Sequence, residues 1–520
     1  MIRMNKKSVN PVKLITMIAM LVFAALSIYI AVTNSKPEED AVVEQNDVIT
    51  QYVTLNINQC DLLVDTYGNG AVYDTVTLST DKPNPIIASD FSGYKLYIND
   101  TEILPGGAVS IELPSMSLSD KITLRVVEEK SGAERVNYIN TIPPSFNNMQ
   151  IISDNPEAGY YYFNLDGYVY KMSTDGRLVY WRMAGGADAS LGGNDFKRTE
   201  VDGKVYYSFL WGGDSTEYPY LSGVKYGRMQ ALVLDENYQF VDHIQFMLPS
   251  EKIGANCRLA NVQFSVLGDH HYLLTAYVGK NVDNIPSSVP HTEQGVRVTA
   301  AIVQEIKDGQ LVFEWDSTDY PELYALNSAA DYYNKSEYWT DYIHLNSVAV
   351  DPADNNLVLS LSNADTIIKI DRTSGKILWK LGGLADEFGL SNEQKFSHQN
   401  DVRITSDGAI TMFNNGVPKV TVDENGQTVF GQSTIIKLRI NEASKTLVSF
   451  EEYACDGAYS PDMGSAQELS DGRYVVGWGE RYTATPLFSE IDFKIGKTLF
   501  ALVRPNYNGS NLYRVYKCQS

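Results

Sequence analysis

At 520 residues the chain is too long for one ordinary core and too short for a long repeat array, so two folded domains fit. Hydrophobic residues make up 44% and aromatics 11%, with Tyr 34 against Trp 6, which is the composition of a well-packed, tyrosine-rich β protein and argues against disorder beyond the N-terminus. The formal net charge of -22 repels phosphate backbones and no basic stripe carries interleaved aromatics, so nucleic acid is not an expected partner and the acidity reads as a solvated surface.

The first predicted element is an apolar run from Leu14 to Val32, long enough to span a bilayer as a transmembrane helix. Arg3, Lys6, Lys7 and Lys13 precede it, and Lys36, Glu38, Glu39 and Asp40 follow. This charge order places residues 1–13 in the cytoplasm and everything after the run outside the cell, on a single-pass anchor in the cell membrane. A cleaved signal peptide is the alternative, but its small-x-small site is poorly formed here. Residues 33–47 read as an acidic tether.

From 48 to 145, short alternating strands such as TQYVTLNI, GYKLYIND and KITLRVV are separated by Pro, Gly, Asn and Asp, which predicts a small β-sandwich. From 146 to 520, a turn followed by an apolar strand recurs: DGRLVYW at Asp175, DGQLVFEW at Asp308, SGKILWK at Ser374 and IGKTLFAL at Ile495. A period of about 40 to 50 residues predicts a propeller of four-stranded blades. Six blades are expected, beginning near Gly159, Val205, Val262, Leu345, Asn400 and Met463. The innermost strand of each blade faces a central funnel, so chemistry is sought at blade starts.

Cys60, Cys257, Cys455 and Cys518 show no C-x-x-C spacing, which argues against zinc and thioredoxin-type chemistry. Disulfides, with Cys455 to Cys518 as one pairing, and free buried thiols both stay open. Asp386 and Glu387 read as a solvated loop rather than a calcium site, and no P-loop, G-x-S-x-G or H-E-x-x-H motif is present. No metal or cofactor is expected.

Of the six histidines, His344 in DYIHLNS and His398 in FSHQND hold corresponding places one blade apart, whereas His243, His270, His271 and His291 lie in turn, loop or strand-end contexts. Strand alternation puts His344 on the face of Asn346 and His398 on that of Asn400, a cluster suited to an anionic or hydroxylated ligand. The alternative is that these side chains only bridge neighbouring blades.

The segments DYIHLNSV, TIIKIDRTSGKILWKLGG, FSHQNDVRI, MFNNG and YSPDMGSAQELSDGRYVVGWG resemble, in the same order, motifs of the arylsulfotransferase family, and AAIVQEIKDGQLVFEW matches too. The resemblance covers nearly everything after the anchor. It implies a β-sandwich followed by a six-bladed propeller, and an activity in which a funnel histidine takes a sulfuryl group from a phenolic sulfate and passes it to a phenol without a phosphoadenosine cofactor. His344 matches the family. The family nucleophile falls on Asn400, an expected arginine on Asn363 and a further histidine on Val262.

Three readings follow. In the first, His398 serves as a relocated nucleophile with His344 as general acid or oxyanion partner, Arg258 supplies charge in preference to Arg403, and Tyr342, Tyr459 and Trp478 line a slot for the phenol. In the second, the funnel binds a glycan or small aromatic anion through His344, Asn346, Asn363, His398 and Asn400 without turnover. The third, a quinoprotein-like oxidoreductase, rests on fold analogy alone.

Overall fold

Short apolar strands broken by left-handed turns set the architecture. The computed structural model describes residues 49–520 except 75, 185–193, 212–229, 254–258, 293–294, 328–332, 334–339, 417–420, 423–427, 430, 455–457, 481–485, 506–510 and 520, and gives the backbone alone for 259–262, 421–422, 428–429 and 511. The chain divides into two compact units, Met1–Ile49 and Thr50–Ser520. The expected anchor at 14–32 and its tether lie outside the described residues, and among the described ones no helix is long and apolar enough to cross a membrane. The second unit is almost wholly β, with a few short 3-10 turns.

Its first part holds two sheets. One runs Cys60–Asp65, Tyr52–Ile57, Asn84–Ala88, Ala108–Ile111; the other Val72–Tyr73, Glu134–Asn140, Lys121–Glu128, Tyr94–Ile98, Thr101–Ile103. Alternate residues such as Val53, Leu55 and Ile57 are buried, as period-2 patterning requires. These residues share one apolar cluster with Tyr161, Phe163, Phe488 and Val515 of the later sheets, and Leu78–Ser79 pairs with Leu178–Met183.

Six antiparallel sheets of four or five strands follow among the described residues, beside two small two-stranded ones. Sheet I is Val515–Cys518, Tyr160–Leu165, Tyr168–Ser173, Leu178–Met183, with Leu78–Ser79 on its outer edge. Sheet II is Asn194–Val201, Lys204–Trp211, Gln230–Leu234, Phe240–Ile244; sheet III is Leu259–Gly268, His271–Val282, Val296–Lys307, Gln310–Asp316. Sheet IV is Leu345–Val350, Leu357–Leu361, Thr366–Ile370, Ile377–Gly382; sheet V is Asn400–Ile404, Ile410–Asn414, Thr434–Asn441, Thr446–Ala454. Sheet VI is Ser465–Glu468, Tyr474–Gly477, Phe488–Asp492, Lys497–Val503, with Gln150–Ser153 on its outer edge.

The four recurring turn-strand motifs all fall on the fourth strand of their sheets. In the one at Ser374, the Asp371 carboxylate accepts the N–H groups of Thr373 and Ser374, and Gly375 (φ 76°) closes the turn where a Cβ would meet the Tyr320 hydroxyl at 2.8 Å. Two expected starts move. Sheet II begins at Asn194, so Val205 belongs to its second strand. Sheet I takes its first strand from the C-terminus, a long-range pairing that local pattern does not carry.

The first strands of sheets I to VI touch in cyclic order, VI returning to I. Side chains join them. Asp195 accepts the Phe264 N–H (3.3 Å), Gln263 the Val348 N–H (2.7 Å), Ser347 the Val402 N–H (2.9 Å), Asp401 the Ala466 N–H (3.0 Å), and Ser465 the Val515 N–H (3.1 Å). At the sixth junction Tyr516 donates its hydroxyl to Asp195 at 2.5 Å. Five of these contacts satisfy a main-chain donor where no strand pairing reaches it and the sixth a phenol hydroxyl, and together they fix how neighbouring sheets sit. Cys60 and Cys518 are free thiols, while Cys257 and Cys455 lie outside the described residues.

Candidate functional site

His344 stands just ahead of the first strand of sheet IV in a left-handed conformation (φ 48°), uncommon for a residue with a side chain. Asp341 holds it there. One carboxylate oxygen accepts the His344 backbone N–H at 3.1 Å and the other pairs with Nδ1 at 2.5 Å, which leaves Nε2 for chemistry. The Tyr277 ring lies 5.1 Å away, centroid to centroid, and its hydroxyl donates to the Leu345 carbonyl at 2.7 Å. Burial alone lowers this imidazole, but the Asp341 charge and hydrogen bond, helped by Asp462, outweigh it and hold His344 above its ordinary value. The ring stays reachable, with 32% of its side-chain surface open.

His398 repeats the arrangement one sheet later. Its φ is 49°, its backbone N–H donates to Asp365 at 2.8 Å, and the same carboxylate oxygen lies 3.4 Å from Nδ1, which makes no hydrogen bond. Its side chain is 33% open. Both histidines are thus placed by a carboxylate at the head of an inner strand.

A buried cluster of charges, the floor, links the first strands of sheets II and V to the C-terminal segment. Arg514, 1% exposed, donates to Asp195 at 3.1 Å and to the Asn346 carbonyl at 2.6 Å, and its Nε lies 3.5 Å from Asp401. Lys197 pairs with Asp195 at 2.7 Å and Arg403 with Asp401 at 2.8 Å. Burial opposes the charge on Asp195, yet Lys197 and Arg514 hold its carboxyl below the usual range. Burial keeps Tyr516 well above its ordinary value and pushes Tyr513 up to about 12, so both phenols are neutral. Three cations, Lys197, Arg403 and Arg514, therefore meet two carboxylates, Asp195 and Asp401.

The amides land elsewhere than expected. Asn346 and Asn400 are 3% and 7% exposed; Asn346 donates to the Gln399 carbonyl (2.6 Å) and Asn400 to Asn415 (3.3 Å). Left-handed residues ahead of each strand, with register shifts between Leu345 and Ser347 and between Asn400 and Arg403, break the alternation that would align them with the histidines. The same shift carries Arg403 to Asp401 and the Tyr516 ring. Asn363 donates to the Asp341 carbonyl at 2.8 Å, so the residue in the expected arginine's place buttresses the His344 turn. Tyr342, Tyr459 and Trp478 are buried, Tyr342 bonding Ser317 and Trp478 bonding Ser489, and the two bonded rings pack in the core rather than line a slot. Arg258 lies outside the described residues, and so does the Val262 side chain. The floor residues went unread in sequence, although Asp195-Phe196-Lys197 and Asp401-Val402-Arg403 repeat one acidic-apolar-basic triplet in two inner strands.

The family model described as arylsulfotransferase (ASST) matches residues 226–486, half of the chain, including both histidines and Asp401. The chain belongs to the arylsulfotransferase family. No curated protein matches it. Among solved structures it is similar to a protein of unknown function from Bacteroides caccae (9% identity, TM-score 0.39, 70% of this chain and 100% of that one), to the Dos1 propeller (10%, 0.29, 76% and 83%) and to the periplasmic gluconolactonase of Pseudomonas aeruginosa (12%, 0.34, 69% and 99%). At these scores the likenesses add nothing to the family assignment.

Proposed function

We propose that this arylsulfotransferase-family protein moves a sulfuryl group from a phenolic sulfate ester to a phenolic acceptor, with His398 as carrier and His344 as acid, at the mouth of a closed six-bladed propeller that follows a β-sandwich. The cyclic contact of the six inner strands supports the closed ring. The observation that carries the activity is two partly open histidines, each placed by a carboxylate at the head of adjoining inner strands, so that one can serve as nucleophile beside an acid.

In the first step a His398 nitrogen attacks sulfur, the sulfur–oxygen bond to the donor breaks, and the His344 imidazolium gives its proton to the departing phenolate. In the second, the acceptor oxygen attacks sulfur, the nitrogen–sulfur bond breaks, and the phenol's proton passes to the carboxylate of Asp365. Both groups exchange protons with solvent to reset. No cofactor is needed. The funnel that binds a glycan through its asparagines has less support, since the amides of Asn346, Asn363 and Asn400 are engaged within the protein. We place the activity outside the cell, on the single-pass anchor at 14–32.

The test is sulfuryl transfer from a chromogenic phenyl sulfate to phenol by the full chain in detergent. An alkali-stable, acid-labile sulfo-enzyme in the wild type, absent in His398→Ala, supports the assignment. Sulfo-enzyme formation unchanged in His398→Ala overturns it.

A further inference from the structure

Between sheets IV and V runs a cleft of about 720 Å³, a volume ordinary for a small-molecule site, whose walls carry Asp365, Glu393, Lys395, Thr434 and Glu452. Three carboxylates face one ammonium there, the reverse of the charge balance in the funnel floor. Leu384 adds exposed apolar surface on which a ring can lie, and the exposed Asn392 adds an amide that can meet a hydroxyl. The cleft adjoins the carrier histidine through Ser397 and Asp365, since Asp365 takes the His398 backbone N–H at 2.8 Å and stands 3.4 Å from its Nδ1.

We infer that this cleft is the acceptor site and takes a neutral, hydroxyl-bearing aromatic molecule of the phenolic glycoside class, rejecting anionic ones. The inference rests on the sulfuryl-transfer reading for its role, but the binding itself does not. The acidic cleft keeps a sulfate ester from occupying the acceptor's place, and Asp365, which both lines the cleft and holds His398, stands where a phenol proton is lost.

The test uses the full chain in detergent with two probes, 4-hydroxyphenyl β-glucoside and 4-hydroxyphenyl β-glucuronide, which differ chiefly by one carboxylate. Calorimetric titration is expected to show the glucoside binding at least tenfold tighter. The combined Glu393→Gln and Glu452→Gln variant should narrow that gap severalfold. Ala454→Trp, at an exposed position on the cleft wall where a strand tolerates an aromatic, should weaken the glucoside at least tenfold while sulfo-enzyme still forms from phenyl sulfate. Equal binding of the two probes, or glucoside binding unaffected by Ala454→Trp, overturns the cleft. Selective glucoside binding in a wild type that forms no sulfo-enzyme supports the neutral-ligand cleft and sinks the transfer reaction instead.

Discussion

Ser347 accepts the buried backbone N–H of Val402 through its hydroxyl at 2.9 Å, and by that bond the strand bearing His344 is tied to the strand bearing His398. Asn346 ties the same pair of strands through the Gln399 carbonyl. Side chains two and three residues downstream of His344 thus fix how the two histidine-bearing segments sit against each other.

Ser347→Ala strips a buried donor of its partner and is expected to destabilise the chain by about 1–3 kcal/mol. Urea unfolding followed by tryptophan fluorescence measures it. A change within error of zero would show that a water or a shifted strand replaces the hydroxyl.

Arg514→Met leaves Asp195 and Asp401 with less compensation in a buried setting, a loss expected at about 3–5 kcal/mol. Because Asp195 is held below its unfolded value, its share of stability is present above the ordinary carboxylate range and lost as pH falls through its folded value. Unfolding in urea at neutral pH and again near pH 3 should show the acid-induced loss shrinking in Asp195→Asn.

His344 is held above its ordinary value, so its proton persists to higher pH in the folded state. The stabilisation from its pairing with Asp341 is full below the unfolded value of about 6.5 and fades as pH rises through the folded one. Transfer that uses His344 as acid should fall along the same limb. Asp341→Asn removes the main raising influence and leaves burial, which moves the limb to lower pH. A profile of transfer rate against pH that is identical in the two proteins would remove His344 from the acid role.

His344→Ala should slow transfer from a poor phenolate leaving group by about 100- to 10,000-fold, and far less from a nitrophenolate that needs no proton. Steady-state rates across a series of aryl sulfates test this. A uniform loss across the series points to binding rather than proton delivery.

Removal of residues 511–520 deletes the first strand of sheet I, with Arg514 and Tyr516. The cyclic contact is then open at one junction, and cooperative thermal unfolding should give way to a broad, lower transition. A sharp transition at the wild-type temperature would mean that the C-terminal strand is dispensable.

Much was legible in sequence because it depends on neighbours along the chain. Period-2 burial marks Tyr52–Ile57 as a strand, Asp371 and Gly375 announce a turn, and the order of motifs around His344 and His398 places the chain in its family. Those signals are local and repeat with a regular spacing, so propensity and pattern carry them. Tertiary structure alone decided the rest. A left-handed residue and a register shift at the heads of the inner strands of sheets IV and V turn Asn346 and Asn400 away from the role that simple alternation assigns, and a strand from the far C-terminus brings Arg514 between Asp195 and Asp401, more than three hundred residues from the first and more than one hundred from the second. Backbone strain and long-range charge pairing are set by what the whole fold encloses, and no window of sequence contains them.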